Sequence, residues 1–360
     1  MPAKKKIVFF ALDKTFGHSQ IGGTDSYMRR LTGAIINSKE VEWVFYDAEC
    51  NNEEFIGELK VIKFIKFKNA IDYIWSQKNI TVITSYIDPK YRLYFGYKRL
   101  LNNKKSSFYL LMFFYPESYI KKIVRALEIL ITPYAGVITV SNRLDRFCSL
   151  FSSQVLHLPP IVPFKYNIRP YRNVEKPTVV FLGRIDPRKG INEVIRLFKK
   201  LAATDRYRLI IYGIAIEDDT GVNEALNKIK SCSDIEFIKI DRGEFSEKVD
   251  DLVINALGKA DFFIQPYKNL ESTVDTPLLL LEATALKCEV LTTGVVEEYS
   301  HEYKNIHIIK GDFPLSAFSF IENYRYAQRS YSESVEHLRP DVISGKLSRF
   351  FSTNTYNEKC

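Results

Sequence analysis

The sequence contains no Cys-x-x-Cys pair and no apolar run long enough to span a bilayer. Its five cysteines, Cys50, Cys148, Cys232, Cys288 and Cys360, are odd in number and widely scattered. That spacing excludes a structural zinc site and a disulfide frame, and reads as reduced thiols in a cytoplasmic protein. The five histidines make no ligand pattern, so no metal ion is expected. After Met-Pro-Ala-Lys-Lys-Lys the first apolar run, Ile7 to Leu12, is too short for the core of a signal peptide. The longest oily stretch, Ile123 to Val140, is interrupted by Arg125, Glu128 and Pro133, so it can lie on a membrane but not cross one. Short-period repeats and low-complexity tracts are missing too, which excludes solenoid, collagen-like and disordered chains.

With 46% hydrophobic and 26% charged residues over 360 positions, the chain can bury two ordinary cores, and two domains are expected. The net charge of +8 is unevenly placed. Residues 1–160 carry 23 Lys and Arg against 14 Asp and Glu, a balance of +9, and residues 161–360 carry 28 against 29, a balance of −1. An anionic partner is therefore expected at the first half: nucleic acid, an acidic membrane surface or a phosphorylated substrate.

Lys6 leads into Ile-Val-Phe-Phe-Ala-Leu, the β-branched and aromatic run of a strand buried on both faces. A polar loop with Gly17, Gly22 and Gly23 follows, then Thr24 and Asp25 where helix caps belong, and Tyr27, Met28, Leu31, Ala34 and Ile35 at helical spacing. Further strands are predicted at Val41–Tyr46, Thr81–Tyr86, Phe108–Phe114 and Gly136–Val140, with helical segments between them. Leu158 to Lys176 contains Pro159, Pro160, Pro163 and Pro170 and reads as a linker. Beyond it strands are predicted at Thr178–Leu182, Tyr207–Tyr212, Ile235–Ile240, Asp261–Gln265 and Glu289–Thr293, and Ile191, Val194, Ile195, Phe198 and Leu201 form one helical face. Alternating strands and helices on both sides of a linker predict two α/β, Rossmann-like domains, residues 1–162 and 163–324. The tail, about 325–360, reads as helix-compatible up to Pro340 and is expected to pack back on the first domain.

Two stretches carry chemistry. Phe181-Leu-Gly-Arg-Ile-Asp-Pro-Arg-Lys-Gly190 lies between a predicted strand and an amphipathic helix, where a parallel sheet binds ligands. Gly183 lets backbone approach an anion there, and Arg184 and Lys189 can hold a diphosphate, unless both are solvated loop charges. In Asp275-Thr-Pro-Leu-Leu-Leu-Leu-Glu-Ala-Thr-Ala-Leu286, Thr276 can cap and Pro277 fits the first helical position. The helix is apolar nearly all round, and Glu282 is its only charge. A buried carboxylate is costly unless it meets a partner, so Glu282 pairs with an Arg or contacts a ligand. The amides near Leu278 and Leu279 are a ready anion site.

In order and in context, these stretches resemble the nucleotide-sugar-dependent glycosyltransferases of the GT-B fold, most closely the retaining family 4, the glycosyl transferases group 1. Gly-Arg-x-x-x-x-Lys-Gly at Gly183–Gly190 matches the family's diphosphate motif, and Leu280 to Thr293 resembles its Leu-Glu-Ala block. Ala260–Pro266 and Gly22-Gly23 resemble its preceding strand and its N-terminal glycine loop. The resemblance implies two Rossmann-like domains with parallel sheets facing across a cleft. It implies transfer, with retention, from a nucleotide-diphosphate sugar to a glycan acceptor, the departing diphosphate helping to deprotonate the acceptor hydroxyl. Arg184 and Lys189 would hold the diphosphate, Glu282 the ribose hydroxyls, Leu278 and Leu279 phosphate and sugar, and Gly22 and Gly23 the β-phosphate. Gly213 would permit a turn near the base. No Asp-x-Asp occurs, which disfavours the metal-dependent donor site of the other glycosyltransferase fold.

The chain also departs from the family. Val274 stands where the family carries the first Glu of a Glu-x7-Glu pair, so Asp275, or Glu271, would read the donor sugar. Tyr115 stands roughly where a His is common, and with Glu117 it is an acceptor-side candidate; His18 either faces the cleft or solvent. A sugar-nucleotide epimerase, a hydrolase or an inactive nucleotide-sugar-binding protein of the same fold are the alternatives to a transferase. Between residues 90 and 131, rings such as Tyr91, Tyr94, Phe95 and Tyr97 mix with Lys98, Arg99, Lys104, Lys105, Lys121, Lys122 and Arg125 beside an oily segment. That mixture suits an anionic membrane and a lipid-linked acceptor, as in surface polysaccharide synthesis at the inner face of the cytoplasmic membrane. A core helix with a solvated edge is the alternative, and nucleic acid is not expected, because no recognition motif accompanies the rings.

Overall fold

The computed structural model describes residues 6–13, 23–36, 39–85, 87–101, 106–132, 134–163, 176–214, 220–240, 242–270, 277–324 and 335–356. Among these, one compact unit takes the residues up to Ile161 and from His337 onward, and a second takes those from Val162 to Glu336.

The first unit is built on one sheet of strands β1 (Lys6–Leu12), β2 (Val41–Tyr46), β3 (Asn52–Ile56), β4 (Leu59–Phe64), β5 (Ile80–Thr84), β6 (Ser106–Met112), β7 (Gly136–Thr139) and β8 (Val155–His157). Their order is β3-β4-β2-β1-β5-β6-β7-β8, parallel except for the β3–β4 hairpin. Side chains alternate across it, as the two-residue repeat of a strand demands. Ile7, Phe9 and Ala11 enter one core with Tyr27, Met28, Leu31 and Ile35 of α1 (Gly23–Ile36). Val8 and Phe10 enter the opposite core with Ala70, Ile71 and Ile74 of α2 (Phe67–Ser76) and Phe95 of α3 (Arg92–Leu101). Burial on both faces is why β1 reads as an unbroken apolar run. Helices α4 (Tyr119–Ile131) and α5 (Asn142–Cys148) follow β6 and β7.

The second unit has a parallel sheet of β9 (Thr178–Arg184), β10 (Arg208–Ile214), β11 (Ile235–Lys239), β12 (Phe262–Gln265), β13 (Glu289–Thr292) and β14 (Ile306–Ile308), in the order β11-β10-β9-β12-β13-β14. Helices α6 (Ile191–Ala202), α7 (Thr220–Lys230), α8 (Arg242–Leu257), α9 (Leu278–Ala285), α10 (Glu297–Glu302) and α11 (Phe313–Asn323) connect or follow these strands. The predicted apolar face of α6 is buried against the sheet: Ile191, Val194, Ile195, Phe198 and Leu201 share a core with Val179 and Phe181 of β9.

Several sequence expectations need correction. The β3–β4 hairpin, β8 and β14 were not predicted. Phe113 and Phe114 lie beyond β6, which ends at Met112, opposite Thr139 at the end of β7. Thr24 and Asp25 fall inside α1, which starts at Gly23. The tail helix, α12 (Pro340–Tyr356), begins at Pro340 rather than ending there, because proline lacks a donor that a first turn leaves unused anyway. Its Ile343, Leu347 and Phe351 join the core of α1. The start of the linker is pinned, since Tyr27 Oη donates to the Leu158 carbonyl at 2.8 Å and Arg30 to that of Ile161 at 3.0 Å.

The ring and cation mixture at residues 90–131 also sorts differently. Phe95 is buried, Tyr91 stacks on Phe67 at 4.2 Å, and Lys90 and Lys98 each pair at 2.9 Å, with Asp47 and Asp72. Part of that segment therefore serves the core and its rim. Lys104, Lys105 and the Arg99 side chain lie outside the described residues. Apolar side chains remain outward on α3, at Leu93, Tyr97 and Leu101, and on α4. Among the described residues, no helix is long and apolar enough to cross a membrane.

Candidate active site

The second sheet runs β9-β10-β11 in one direction and β9-β12-β13-β14 in the other. The chain order thus switches between β9 and β12, and the crevice outside the carboxyl ends of such strands is where doubly wound sheets bind ligands. β9 ends in Gly183 and Arg184; β12 ends in Gln265 and leads to Pro266 and Tyr267. The ends are tied together: Gln265 Nε2 donates to the Leu182 carbonyl at 2.5 Å, and Thr292 Oγ1 donates to the Gln265 carbonyl at 2.7 Å.

Between β9 and α6, Pro187–Lys189 form one tight helical turn capped by Asp186, whose carboxylate accepts from the Arg188 amide and from Arg188 Nη2, both at 2.8 Å. Burial alone would raise the Asp186 carboxyl, but the hydrogen bonds from Arg188 outweigh it and hold the group below its usual range. The chain leaves this turn through Gly190 at φ 76°, where a Cβ would lie 2.2 Å from the Pro266 carbonyl oxygen. Glycine is required here both by the left-handed backbone and by the close approach of the β12 loop. Gly190→Ala should therefore cost at least the roughly 1–3 kcal/mol of a strained residue and lower the melting temperature by several degrees. Gly294→Ala, where a Cβ meets nothing within 4 Å, is the control expected to leave it unchanged.

This turn buries Lys189. Its side chain lies with Nζ 4.8 Å from the centre of the Tyr267 ring, and the residue is only 8% exposed. Burial, helped by the neighbouring charges of Arg184 and Arg188 and opposed by Asp186, lowers its pKa to about 7. Tyr267 is itself buried, and burial holds its phenol above the usual range, Arg184 opposing and Glu282 adding to the effect. Arg184 and Glu282 therefore both lie close enough to act on the ring that covers Lys189. Glu282 is 2% exposed on α9, whose other residues apart from Leu279 are buried and apolar, or a threonine. Pro277 takes the N-cap of α9, one place before the predicted first helical position, and its ring caps nothing; the amides of Leu278 and Leu279 begin the helix.

Arg184, Lys189, Tyr267 and Glu282 are thus neighbours, and Glu282 lies one turn beyond the start of α9. Two cations and the amides at a helix start suit a diphosphate, and a buried carboxylate, which only accepts, suits hydroxyl donors. Tyr267 was missed by sequence reasoning; the available signal was an aromatic two residues beyond a predicted strand. Gly213 is corrected: it lies inside β10, paired with Gly183 and Lys239, rather than in a turn. A Cβ there would meet Phe237 at 2.6 Å and Ile185 at 2.7 Å, so its small size serves packing. Asp275, Thr276, Glu271, Gly22 and His18 lie outside the described residues, and Gly23 is the first residue of α1. Tyr115 and Glu117 follow β6 in the first unit, where Glu117 pairs with Arg143 at 3.1 Å.

Residues 166–309 match the family model described as glycosyl transferases group 1. That match spans most of the second unit, and Gly183–Gly190 and the whole of α9 lie within it. No curated protein sequence matches the chain. Among solved structures, it is similar to an alpha,alpha-trehalose-phosphate synthase (UDP-forming) from Burkholderia vietnamiensis, with a TM-score of 0.66 at 10% identity over 98% of this chain and 100% of that one. A glycosyltransferase from Rickettsia africae has a TM-score of 0.62 at 13% identity, covering 98% and 99%. The pneumococcal O-GlcNAc transferase GtfA, in complex with UDP and GlcNAc, has a TM-score of 0.62 at 10% identity, again covering 98% and 99%. At these identities the likeness establishes the fold, and that fold is GT-B.

Proposed function

We propose that the protein is a retaining, metal-independent glycosyltransferase of hexosyltransferase type. It moves a sugar from a nucleotide-diphosphate sugar to a lipid-linked glycan acceptor in surface polysaccharide synthesis, as a peripheral protein on the inner face of the cytoplasmic membrane. The observation that carries this reading is the burial of Lys189 beside Arg184 and Glu282 at the β9–β12 switch point. A buried cation in a ligand crevice is costly unless an anion restores its charge. As the sugar leaves the diphosphate, negative charge grows on the leaving oxygens, and fixed cations stabilise it without reorganising. Glu282 accepts from the ribose hydroxyls and fixes the nucleotide, which positions the anomeric carbon for the acceptor.

Thermal shift with uridine, guanosine and cytidine nucleotide sugars identifies the donor, uridine first because one of the similar proteins is UDP-forming and another binds UDP. Ligand at a hundredfold its Kd stabilises the fold by about 2.7 kcal/mol, a shift of several degrees. Labelled donor is then incubated with and without acceptor. Label that moves only when acceptor is present supports the transferase, and turnover without acceptor replaces it with an epimerase or hydrolase. A shift with no turnover under any acceptor leaves an inactive nucleotide-sugar-binding protein.

A further inference from the structure

The loop after β12 is docked on the turn that carries Lys189, residue against residue and in the opposite chain direction. A Cβ on Gly190 would lie 2.2 Å from the Pro266 carbonyl oxygen, and the Lys189 ammonium lies 4.8 Å from the centre of the Tyr267 ring. The Lys268 amide then donates to the Arg188 carbonyl at 3.1 Å. Pro266, Tyr267 and Lys268 thus meet Gly190, Lys189 and Arg188 in turn. Two further contacts fix the dock. Lys268 Nζ pairs at 3.1 Å with Glu193 in the first turn of α6, and Thr293, just beyond β13, donates its hydroxyl to the Tyr267 carbonyl.

Tyr267 is only 2% exposed, so its ring is held with one face toward Lys189. The charges around the ammonium do not account for its place. Arg184 and Arg188 repel it, and the carboxylate that attracts it, Asp186, already accepts from the Arg188 amide and guanidinium. Glu282, on α9, acts on the Tyr267 phenol, and Lys268 and Glu193 offset each other. The ring face is the remaining group that favours a positive charge at that point. Its negative potential attracts a cation, and more strongly away from water. A ring also suits the task better than a second carboxylate, because it holds the ammonium without neutralising it.

We propose that Tyr267 is a positioning residue, whose ring face holds the Lys189 ammonium where the diphosphate of the donor arrives. This deepens the glycosyltransferase reading and rests on it, because it takes Lys189 as the cation that meets the phosphates. Tyr267 acts through Lys189, and the docked loop sets the angle of the ring. The charge of the lysine therefore depends on the electron density of its neighbour's ring as well as on burial.

The test replaces Tyr267 in the full chain by Phe and by trifluorophenylalanine, whose fluorines withdraw charge from the ring face while nearly keeping its shape. Inorganic pyrophosphate is titrated into each by calorimetry at pH 8 and at pH 6. Tyr267→Phe keeps the ring face and should keep most of the wild-type affinity. The trifluorinated ring should bind pyrophosphate roughly 3- to 30-fold more weakly than the Phe variant at pH 8, the range a cation–ring contact spans. The loss should shrink at pH 6, because Lys189, whose pKa lies at about 7, then has less of its proton to take up. Melting temperatures check that both variants fold. Equal affinity of the two variants at pH 8 overturns the proposal. A loss of the same size at pH 6 does so too, since it would place the effect in the shape of the loop. Lys189→Ala is titrated beside them and should bind more weakly than the wild type. If it binds equally, or if the wild type does not bind pyrophosphate, the nucleotide-sugar reading of the site falls, whatever the ring does.

Discussion

Lys189→Ala should lower turnover about 10²- to 10³-fold, the loss that follows removal of one preorganised group from developing negative charge. The side chain is buried, it is held over Tyr267, and its neighbours Arg184 and Arg188 repel its proton, so the free protein releases that proton near pH 7. A diphosphate arriving beside it reverses the balance and returns the proton. At pH 8 about nine-tenths of the lysine is neutral before binding, so each nucleotide bound should take up about 0.9 proton. Calorimetry in two buffers of different ionisation enthalpy measures that uptake directly. It should vanish in Lys189→Ala and in Lys189→Arg, and affinity in the wild type should fall as pH rises above 7. Stability of the free protein moves the other way. An unfolded lysine keeps its proton to about pH 10.4, so between pH 7 and that value the unfolded chain binds more protons and stability rises with pH. Zero uptake in the wild type would mean that Lys189 does not meet the phosphates.

What was legible in the residues follows from burial. Strands covered on both faces, such as β1 and β9, announce themselves as apolar runs, and α6 shows one clean apolar face. The β3–β4 hairpin does not: β3 is Asn-Glu-Glu-Phe-Ile at the edge of its sheet, mostly exposed, and nothing in its pattern distinguishes it from a loop. Strands β8 and β14 are three residues long at sheet edges, too short for a periodicity to register. Among the candidate site residues, Glu282 stood out as a charge on an apolar helix, and Arg184 and Lys189 as cations in a glycine-bounded loop between a strand and a helix. Tyr267 did not, because an aromatic residue in a core needs no reason. Its importance appears only when the β12 loop comes within 2.2 Å of where a Gly190 Cβ would be and its ring covers Lys189. For α4 the residues left two readings open, an outward apolar face and a core helix with a solvated edge; in the structure its Glu128 faces inward while Ile120, Ile123 and Leu127 are exposed.

Glu282→Gln should weaken binding of the nucleoside diphosphate about 10- to 150-fold, the equivalent of roughly 1.5–3 kcal/mol for a hydrogen bond to a charged group. The carboxylate is buried on a helix that is otherwise almost wholly apolar, and as an ion it accepts only. In the proposed binding mode, ribose hydroxyls would supply donors to both of its oxygens. The amide has the same shape but turns one acceptor into a donor, which then faces a hydroxyl it cannot satisfy as before. Inorganic pyrophosphate lacks the ribose, so its Kd should be unchanged in the variant, and the two titrations together locate the residue. If both ligands weaken equally, Glu282 acts by holding Arg184 in place on the phosphate side, and the ribose assignment fails. If neither weakens, the carboxylate serves only the packing of α9, and the melting temperature of the variant will carry the whole effect.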